Sequence, residues 1–515
     1  MTASALRVDA IVTEMAALRG DAPALVTEDG AAVSYRDLSE RIEQAARALS
    51  QAGLRAGDRL LLVGENCAQM IVGLFAALRL SAWAVPLNAR LSPGELDPIR
   101  AHAGPRLCLY AVTVSPEAAA HAQRGGALTR ELPGIGLAAL SNADPQAAPE
   151  PVENDPRRQV AVMIYTSGST GKPKGVMLTH GNLRYLADTS AGTGAIQASD
   201  KVYFALPLSH SYGLTTVMLC TLAAGGCLYP VARFSAEKLA DAILGEGITV
   251  FQGVPAMYAR LLEFAAGKGR TLIPNCLRMC YIGGSMIDAE RKAAVEALLA
   301  QPLHHGYGLT EAAPTVTRTI GGAAPSTTTV GWPFPGVKLT LRDRTGLPVE
   351  PGTEGELWVR GPNIMKGYYR DEAQSREAVD AQGWLHTGDL ARVGDAGELY
   401  IVGRIKELII RGGFNVYPAE VEAAIGAYPG VAQCAVLGRP VDGDEEVVAF
   451  IEPQAAATID TGALEQFLRG QLAPYKIPRR YVLMDRLPAS GTGKLLKAAL
   501  KPMLEPDGPR GKTNR

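Results

Sequence analysis

Between Tyr165 and Gly175 the chain strings Thr166, Ser167, Gly168, Ser169, Thr170, Gly171, Lys172, Pro173 and Lys174 directly after the apolar residues 160–164. Glycines let main-chain N–H groups close on an anion, hydroxyls add donors and lysines add charge, a combination that suits a polyphosphate. Gly/Ser/Thr-rich strings are more often plain flexible turns. This one leaves straight from an expected buried strand and carries two lysines, so ATP is the expected ligand. Gly168 stands only three residues before Gly171 and Pro173 follows Lys172, so the G-x-x-x-x-G-K-[ST] spacing of an ordinary P-loop is not met.

The elements that would hold such a site follow an α/β rhythm. Ser34 and Asp37 have capping-box spacing, and Leu38, Ile42, Ala45, Ala46 and Leu49 recur on one helical face. Residues 60–63, 67–80 and 83–87 read as strand, helix and strand, the pattern that feeds a parallel sheet. Strand-like runs return at 201–206, 227–231, 248–251 and 277–282. Residues 111–155, rich in Ala, Pro and Gly, read as a surface excursion. Beyond Gly331, runs such as 337–341 and 356–360 between Pro/Gly turns predict a smaller β unit. From Arg404 the order is hairpin, helix, strand, strand, helix and strand, and 505–515 reads as a solvated tail. The expected fold class is α/β: a large N-terminal domain, 1–403, with parallel-type sheets and a smaller β unit, and a small mobile α+β C-terminal domain, 404–515.

A chain of 515 residues exceeds one comfortable core. Its 47% hydrophobic and 20% charged content fits a soluble globular protein, not a disordered one. A net charge of -1 gives no general attraction to nucleic acid or to an anionic membrane. The N-terminus lacks the basic start and apolar core of an export signal, and 60–63 and 70–80 are too short to cross a bilayer. A cytoplasmic protein is expected, without a nucleic-acid partner or stable membrane insertion. The seven cysteines form no C-x-x-C pair and read as reduced core thiols. His304, His305 and His386 lack metal-ligand spacing.

Further strings then accumulate: Pro207-Leu208-Ser209-His210-Ser211-Tyr212-Gly213, Tyr307-Gly308-Leu309-Thr310-Glu311, Trp384-Leu385-His386-Thr387-Gly388-Asp389, Gly403-Arg404-Ile405-Lys406 and Gly491-Thr492-Gly493-Lys494. Their joint order resembles the acyl-adenylate-forming superfamily, which includes acyl-CoA synthetases, 4-coumarate:CoA ligases, luciferases and the adenylation domains of non-ribosomal peptide synthetases. The resemblance covers nearly the whole chain, and each string alone is only moderately specific.

That resemblance implies a carboxylate attacking the α-phosphorus of ATP. Both reactants are anionic, so the transition state needs cations and oriented donors. The run from Thr166 to Gly171 would hold the β- and γ-phosphates and Lys174 would steady it. Thr310 would reach a phosphate oxygen, and Glu311 would help hold Mg²⁺. Gly283, Gly284 and Ser285 match the adenine-edge segment, and Tyr307 the aromatic that stacks on adenine. Asp389 would accept both ribose hydroxyls with Arg404 beside it. Lys494 matches the catalytic lysine that bridges carboxylate and α-phosphate while the small domain is closed. Lys406 sits at the hinge position. After adenylation the small domain would swing, withdrawing Lys494 and presenting Gly412 and Gly413, which leave room for a pantetheine arm. His210 would position the acyl carboxylate and gate the thiol route without general-base duty, because a thiol of pKa about 8.5 is partly ionised near neutrality. Taken singly, each has a bland reading: a turn, a packed aromatic or histidine, a solvated charge.

Amino-acid-activating relatives carry an Asp near the His210 region to pair with the substrate ammonium, and none stands there, which disfavours an α-amino acid. The family pocket falls on Tyr212, Thr216, Gly306, Gly308, Ala313 and Thr315, a mostly neutral slot suited to an aryl or medium-chain acyl group. Residues 475–480 resemble a run in stand-alone CoA ligases, whereas Asp442, Asp444 and Glu445 stand where some relatives place a Trp for the CoA adenine. The resulting expectation is a carboxylic acid:CoA ligase using ATP, Mg²⁺ and coenzyme A on a small-molecule acid. One alternative transfers the acyl group to a carrier-protein phosphopantetheine or stops at the adenylate, luciferase chemistry is remote, and a non-catalytic nucleotide-binding regulator is the non-enzymatic reading.

Overall fold

Ser34 accepts from the Asp37 N–H while the Asp37 carboxylate reaches back to Ser34 N, the reciprocal cap that the spacing predicts. The helix Tyr35–Gln51 follows, burying Leu38, Ile42, Ala45, Ala46 and Leu49 against the helix Ala68–Arg79. This computed structural model describes residues 6–167, 173–319, 325, 327–350, 352–411, 414–441, 444–454, 457–489 and 495–504.

Arg59–Gly64 and Trp83–Asn88 are buried along their whole length and pair in parallel, as strands covered on both faces do. They centre an eight-stranded sheet that includes the antiparallel pair Val160–Ser167 and Pro173–Thr179. Residues 111–155 depart from the expected excursion: after the helix Pro116–Arg124, the hairpin Leu128–Leu132 and Gly136–Asn142 extends this sheet from Leu107–Tyr110. Ala138 and Ala139 are its fully buried residues, one in the core on each side of the sheet, so the segment has few of the β-branched and aromatic residues that mark a strand.

A second, nine-stranded sheet runs parallel from Leu303–Gly308 through Met279–Ile282, Val250–Gly253, Lys201–Phe204 and Cys227–Pro230 to Pro23–Val26. Its edges turn antiparallel, one through Thr315–Arg318. Lys338–Arg342, Gly355–Arg360, Leu385–Val393 and Leu399–Arg404 form the smaller antiparallel unit.

After Arg404 the elements come in the expected order: Ile409–Arg411 and Phe414–Val416, Pro418–Gly426, Val431–Val441, Asp444–Pro453, Thr461–Arg469 and Arg480–Leu483. No described strand before this point pairs with one after it. Ile409, Val421, Val447, Ile451 and Leu464 bury among themselves, in a cluster separate from the one that ends at Leu399. The protein is thus mixed α/β, with a large N-terminal part and a smaller C-terminal one.

Candidate active site

Thr166 lies opposite Lys174, and Ser167 opposite Pro173, on the antiparallel pair that brackets the glycine-rich run. Gly168, Ser169, Thr170 and Gly171 fall outside the described residues, as do Gly412, Gly413 and Lys494. The Lys174 ammonium stands 5.0 Å from the centre of the Tyr368 ring, a cation–π distance. The Tyr368 hydroxyl donates to Glu311 Oε1 at 2.9 Å. Burial, reinforced by the Glu311 charge, pushes the Tyr368 phenol up, so it remains a donor. Tyr368 therefore joins the hairpin that brackets the glycine-rich run to the carboxylate, a role the sequence reading missed. It is placed by the short strand Gly367–Tyr368, which pairs with Pro173–Thr179.

Glu311 sits in the turn Thr310–Ala312 that follows the strand Leu303–Gly308. Its carbonyl accepts from Met365 N at 2.9 Å. The chain doubles back so tightly here that a Cβ on Gly308 would meet Pro314 O at 2.1 Å, which only glycine avoids. Thr310 Oγ1 lies 3.3 Å from Ser211 Oγ, bringing the His210 segment to the turn. Asn66, also unforeseen, fixes that segment: its amide nitrogen donates to Phe204 O and Leu206 O, and Leu208 N donates to its oxygen.

Asp389 is 2% exposed and directly faces Arg404 across two antiparallel strands. Arg404 Nε meets Asp389 Oδ1 at 2.8 Å, and the Tyr307 hydroxyl donates to Oδ2. The Asp389 charge raises the Arg404 pKa. Each carboxylate oxygen retains a lone pair, so the group can still accept from a diol. Nearby, the strand Met279–Ile282 delivers Gly283, Gly284 and Ser285 to its C-terminal end, where His305 Nε2 lies 3.4 Å from Ser285 O.

A small cavity lies between the helical segment Tyr212–Leu219 and the strand Thr315–Arg318. Thr216 and Thr315 line it, their hydroxyls 3.5 Å apart. Tyr212, Gly306, Gly308 and Ala313 do not line it. The Tyr212 ring packs on Gly283, and a Cβ on Gly306 would meet the Tyr281 hydroxyl at 1.8 Å, so these glycines serve close packing. Arg318 also lines the cavity and breaks the neutral character expected of the slot. A charged residue at a strand end ordinarily reads as solvated, which hid it.

Lys406 is exposed in the turn Ile405–Glu407. Arg411 donates to Tyr475 O at 2.9 Å and Ile477 O at 2.8 Å, and Phe414 stacks on Tyr475. Among the described residues, no three His, Cys, Asp or Glu side chains converge on a metal position. No described helix is long and apolar enough to cross a membrane.

The pattern of the AMP-binding enzyme family matches residues 12–369, and that of the AMP-binding enzyme C-terminal domain matches 420–494. The chain is 37% identical to a feruloyl-CoA synthase of Amycolatopsis sp, over 92% of this chain and 95% of that one. It is 34% identical to an indoleacetate–CoA ligase of Aromatoleum aromaticum, over 90% and 92%. The ATP-bound crystal structure of MatB from Rhodopseudomonas palustris superposes with a TM-score of 0.82 at 30% identity, covering 97% and 98%.

Proposed function

This chain belongs to the AMP-binding enzyme family, and we propose that it is an AMP-forming carboxylic acid:CoA ligase whose acid is an aryl acid. Carboxylate and ATP give acyl-AMP and pyrophosphate; the thiol of CoA then displaces AMP to give acyl-CoA, with the thiol proton released. The observation that carries the reading is one connected row, Lys174, Tyr368, Glu311, Thr310 and Ser211, running from the phosphate hairpin to the segment that borders the cavity. The similarity to a feruloyl-CoA synthase and an indoleacetate–CoA ligase supports a ring-bearing acid over a medium-chain aliphatic one.

Glu311 fits a Mg²⁺ ligand. It offers hard oxygen, one atom of which is oriented by Tyr368, and among the described residues no three His, Cys, Asp or Glu side chains gather into an all-protein metal cage. This suits an ion held by one carboxylate plus substrate phosphates. When bound, Mg²⁺ would offset charge on those phosphates. Asp389, buttressed by Arg404, orients the ribose; Tyr307 and Gly283 to Ser285 flank the adenine; His210 positions the acyl carboxylate. We place the boundary between the two lobes at Gly403 and Arg404, with Lys406 absorbing their rotation. Lys494 then serves adenylation, and Gly412 and Gly413 admit the pantetheine arm afterwards. Need for ATP and CoA, together with thiols that form no disulfide, suits the cytoplasm.

The test is pyrophosphate release over a panel of aromatic and aliphatic acids, with and without CoA, for the native chain and Lys494→Ala. An aromatic acid should drive release, CoA should be consumed, and the variant should lose adenylation while still converting supplied acyl-AMP. Silence with every acid would overturn the reading, and equal loss of both half-reactions would remove Lys494 from its role.

A further inference from the structure

Arg318 ends the strand Thr315–Arg318 and lies nine-tenths buried, at 8% exposure, with its side chain on the cavity. One guanidinium nitrogen donates to Thr193 Oγ1 at 2.9 Å, and its carbon stands 4.6 Å from the centre of the Phe334 ring. No carboxylate pairs with it among the described residues, and residues 320–324 and 326, which follow it in the chain, carry none in sequence. The charged or titratable groups that act on it are Tyr281, Cys220 and Tyr185. Burial pushes all three up, Cys220 to about 11, so they are neutral at ordinary pH. Burial likewise draws the Arg318 pKa down, yet a guanidinium keeps its proton in proteins. The result is a cation whose charge a hydroxyl and a ring face offset only in part, and buried charges are ordinarily paired.

Its position along the cavity gives that charge a use. Ser211, where the helical segment begins, touches Thr310. Thr216 and Cys220 follow one and two turns farther along, and both line the cavity. On the facing strand, Thr315 and Arg318 are separated by about 10 Å of extended chain. Arg318 thus stands at the end remote from Thr310, beyond apolar walls that include Ile196, Met279 and Phe334.

We propose that Arg318 is a specificity-determining residue that donates to an oxygen acceptor carried by the acid at the end remote from its activated carboxyl. The proposal rests on the assignment of this cavity as the acyl site. The substrate class is an aryl acid with a second oxygen function: a ring hydroxyl, a carbonyl or a second carboxylate. Of these, a carboxylate matches the guanidinium fork bidentately, whereas a ring hydroxyl or carbonyl offers one acceptor atom. A ring lacking such an oxygen would leave the donors unpaired, the situation that polar sites reject strongly.

The experiment compares 3-phenylpropanoate with its para-hydroxy and para-carboxy counterparts as substrates for pyrophosphate release, in the native chain, Arg318→Met and Arg318→Gln. The native chain should favour one or both oxygenated acids by about tenfold or more in kcat/KM. Arg318→Met should lose about 10- to 100-fold on the favoured acid while the unsubstituted acid, freed of unpaired donors, does not fall. The favoured acid identifies which acceptor is read. Arg318→Gln, which retains donors, should fall between. No native preference for oxygenated acids would overturn the proposal, a result that needs no variant to fold. An equal fall on all three acids would overturn it too, by making Arg318 a purely structural residue. Absence of release with any acid would instead sink the ligase reading, whereas turnover of the plain acid without preference sinks this inference alone.

Discussion

Lys497 Nζ reaches Glu407 Oε2 at 2.7 Å and Glu422 Oε1 at 2.8 Å, which ties the segment just after Lys494 to the residue that follows Lys406. Lys497, three residues after the proposed catalytic lysine in the sequence, is thereby paired with the residue next to the proposed hinge.

Lys497→Met should slow adenylation by about tenfold, because misplacing a catalytic group costs orientation, while the KM for ATP changes little. Glu407→Gln should do the same, and the double variant should be no slower than either single one, as expected of coupled partners. Pyrophosphate-exchange rates in a double-mutant cycle read the coupling, and simple additivity would dissociate the pair from catalysis.

Glu311→Gln should raise the Mg²⁺ concentration needed for half-maximal adenylation by at least about tenfold. Tyr368→Phe removes one hydrogen bond from Glu311 Oε1, worth roughly 1 kcal/mol or somewhat more with a charged acceptor, so its shift should be only several-fold. Rates titrated against Mg²⁺ at fixed ATP decide it. Unchanged curves in both variants would separate Glu311 from the metal.

Asp389→Asn should weaken ATP binding by about 10- to 100-fold, the equivalent of losing one charged hydrogen-bond acceptor. Arg404→Met leaves the nearly buried Asp389 carboxylate with only the Tyr307 hydroxyl among the described residues, and its penalty should overlap with that of Asp389→Asn instead of multiplying it. Nucleotide titrations by calorimetry measure each. Wild-type affinity in Asp389→Asn would exclude the ribose contact.

Acid should destabilise the fold through His305. Burial pushes its pKa down to about 4, against about 6.5 in an unfolded chain. Between those values the unfolded state binds the additional proton, so this contribution is fully present above about pH 6.5 and is lost as pH falls toward 4. The full window is worth roughly 3 kcal/mol. His180 is shifted the same way by burial. Melting temperatures taken from pH 7.5 down to 5 should fall less steeply in His305→Gln than in the native chain; parallel slopes would remove His305 as a source.

Local chemistry makes much of the fold legible in the sequence. The Ser34–Asp37 cap, the buried stripe from Leu38 to Leu49 and the order of elements after Arg404 all depend on near neighbours in sequence. The hairpin within 128–142 escaped because its fully buried positions, Ala138 and Ala139, are alanines and not the β-branched or aromatic residues that mark a strand. At the site, Asp389 and Arg404 were legible as motif positions, and the structure sets them side by side. Tyr368, Asn66 and Arg318 were not, since their partners Glu311, Leu206 and Thr193 lie far away in the chain and no periodicity points to them.

The C-terminal part keeps its own oil. Ile409, Val421, Val447 and Ile451 are already shielded from water by one another, so turning that part about Lys406 would wet little greasy surface. If the proposed rotation occurs, a lobe built this way would trade one resting pose for another at little hydrophobic cost.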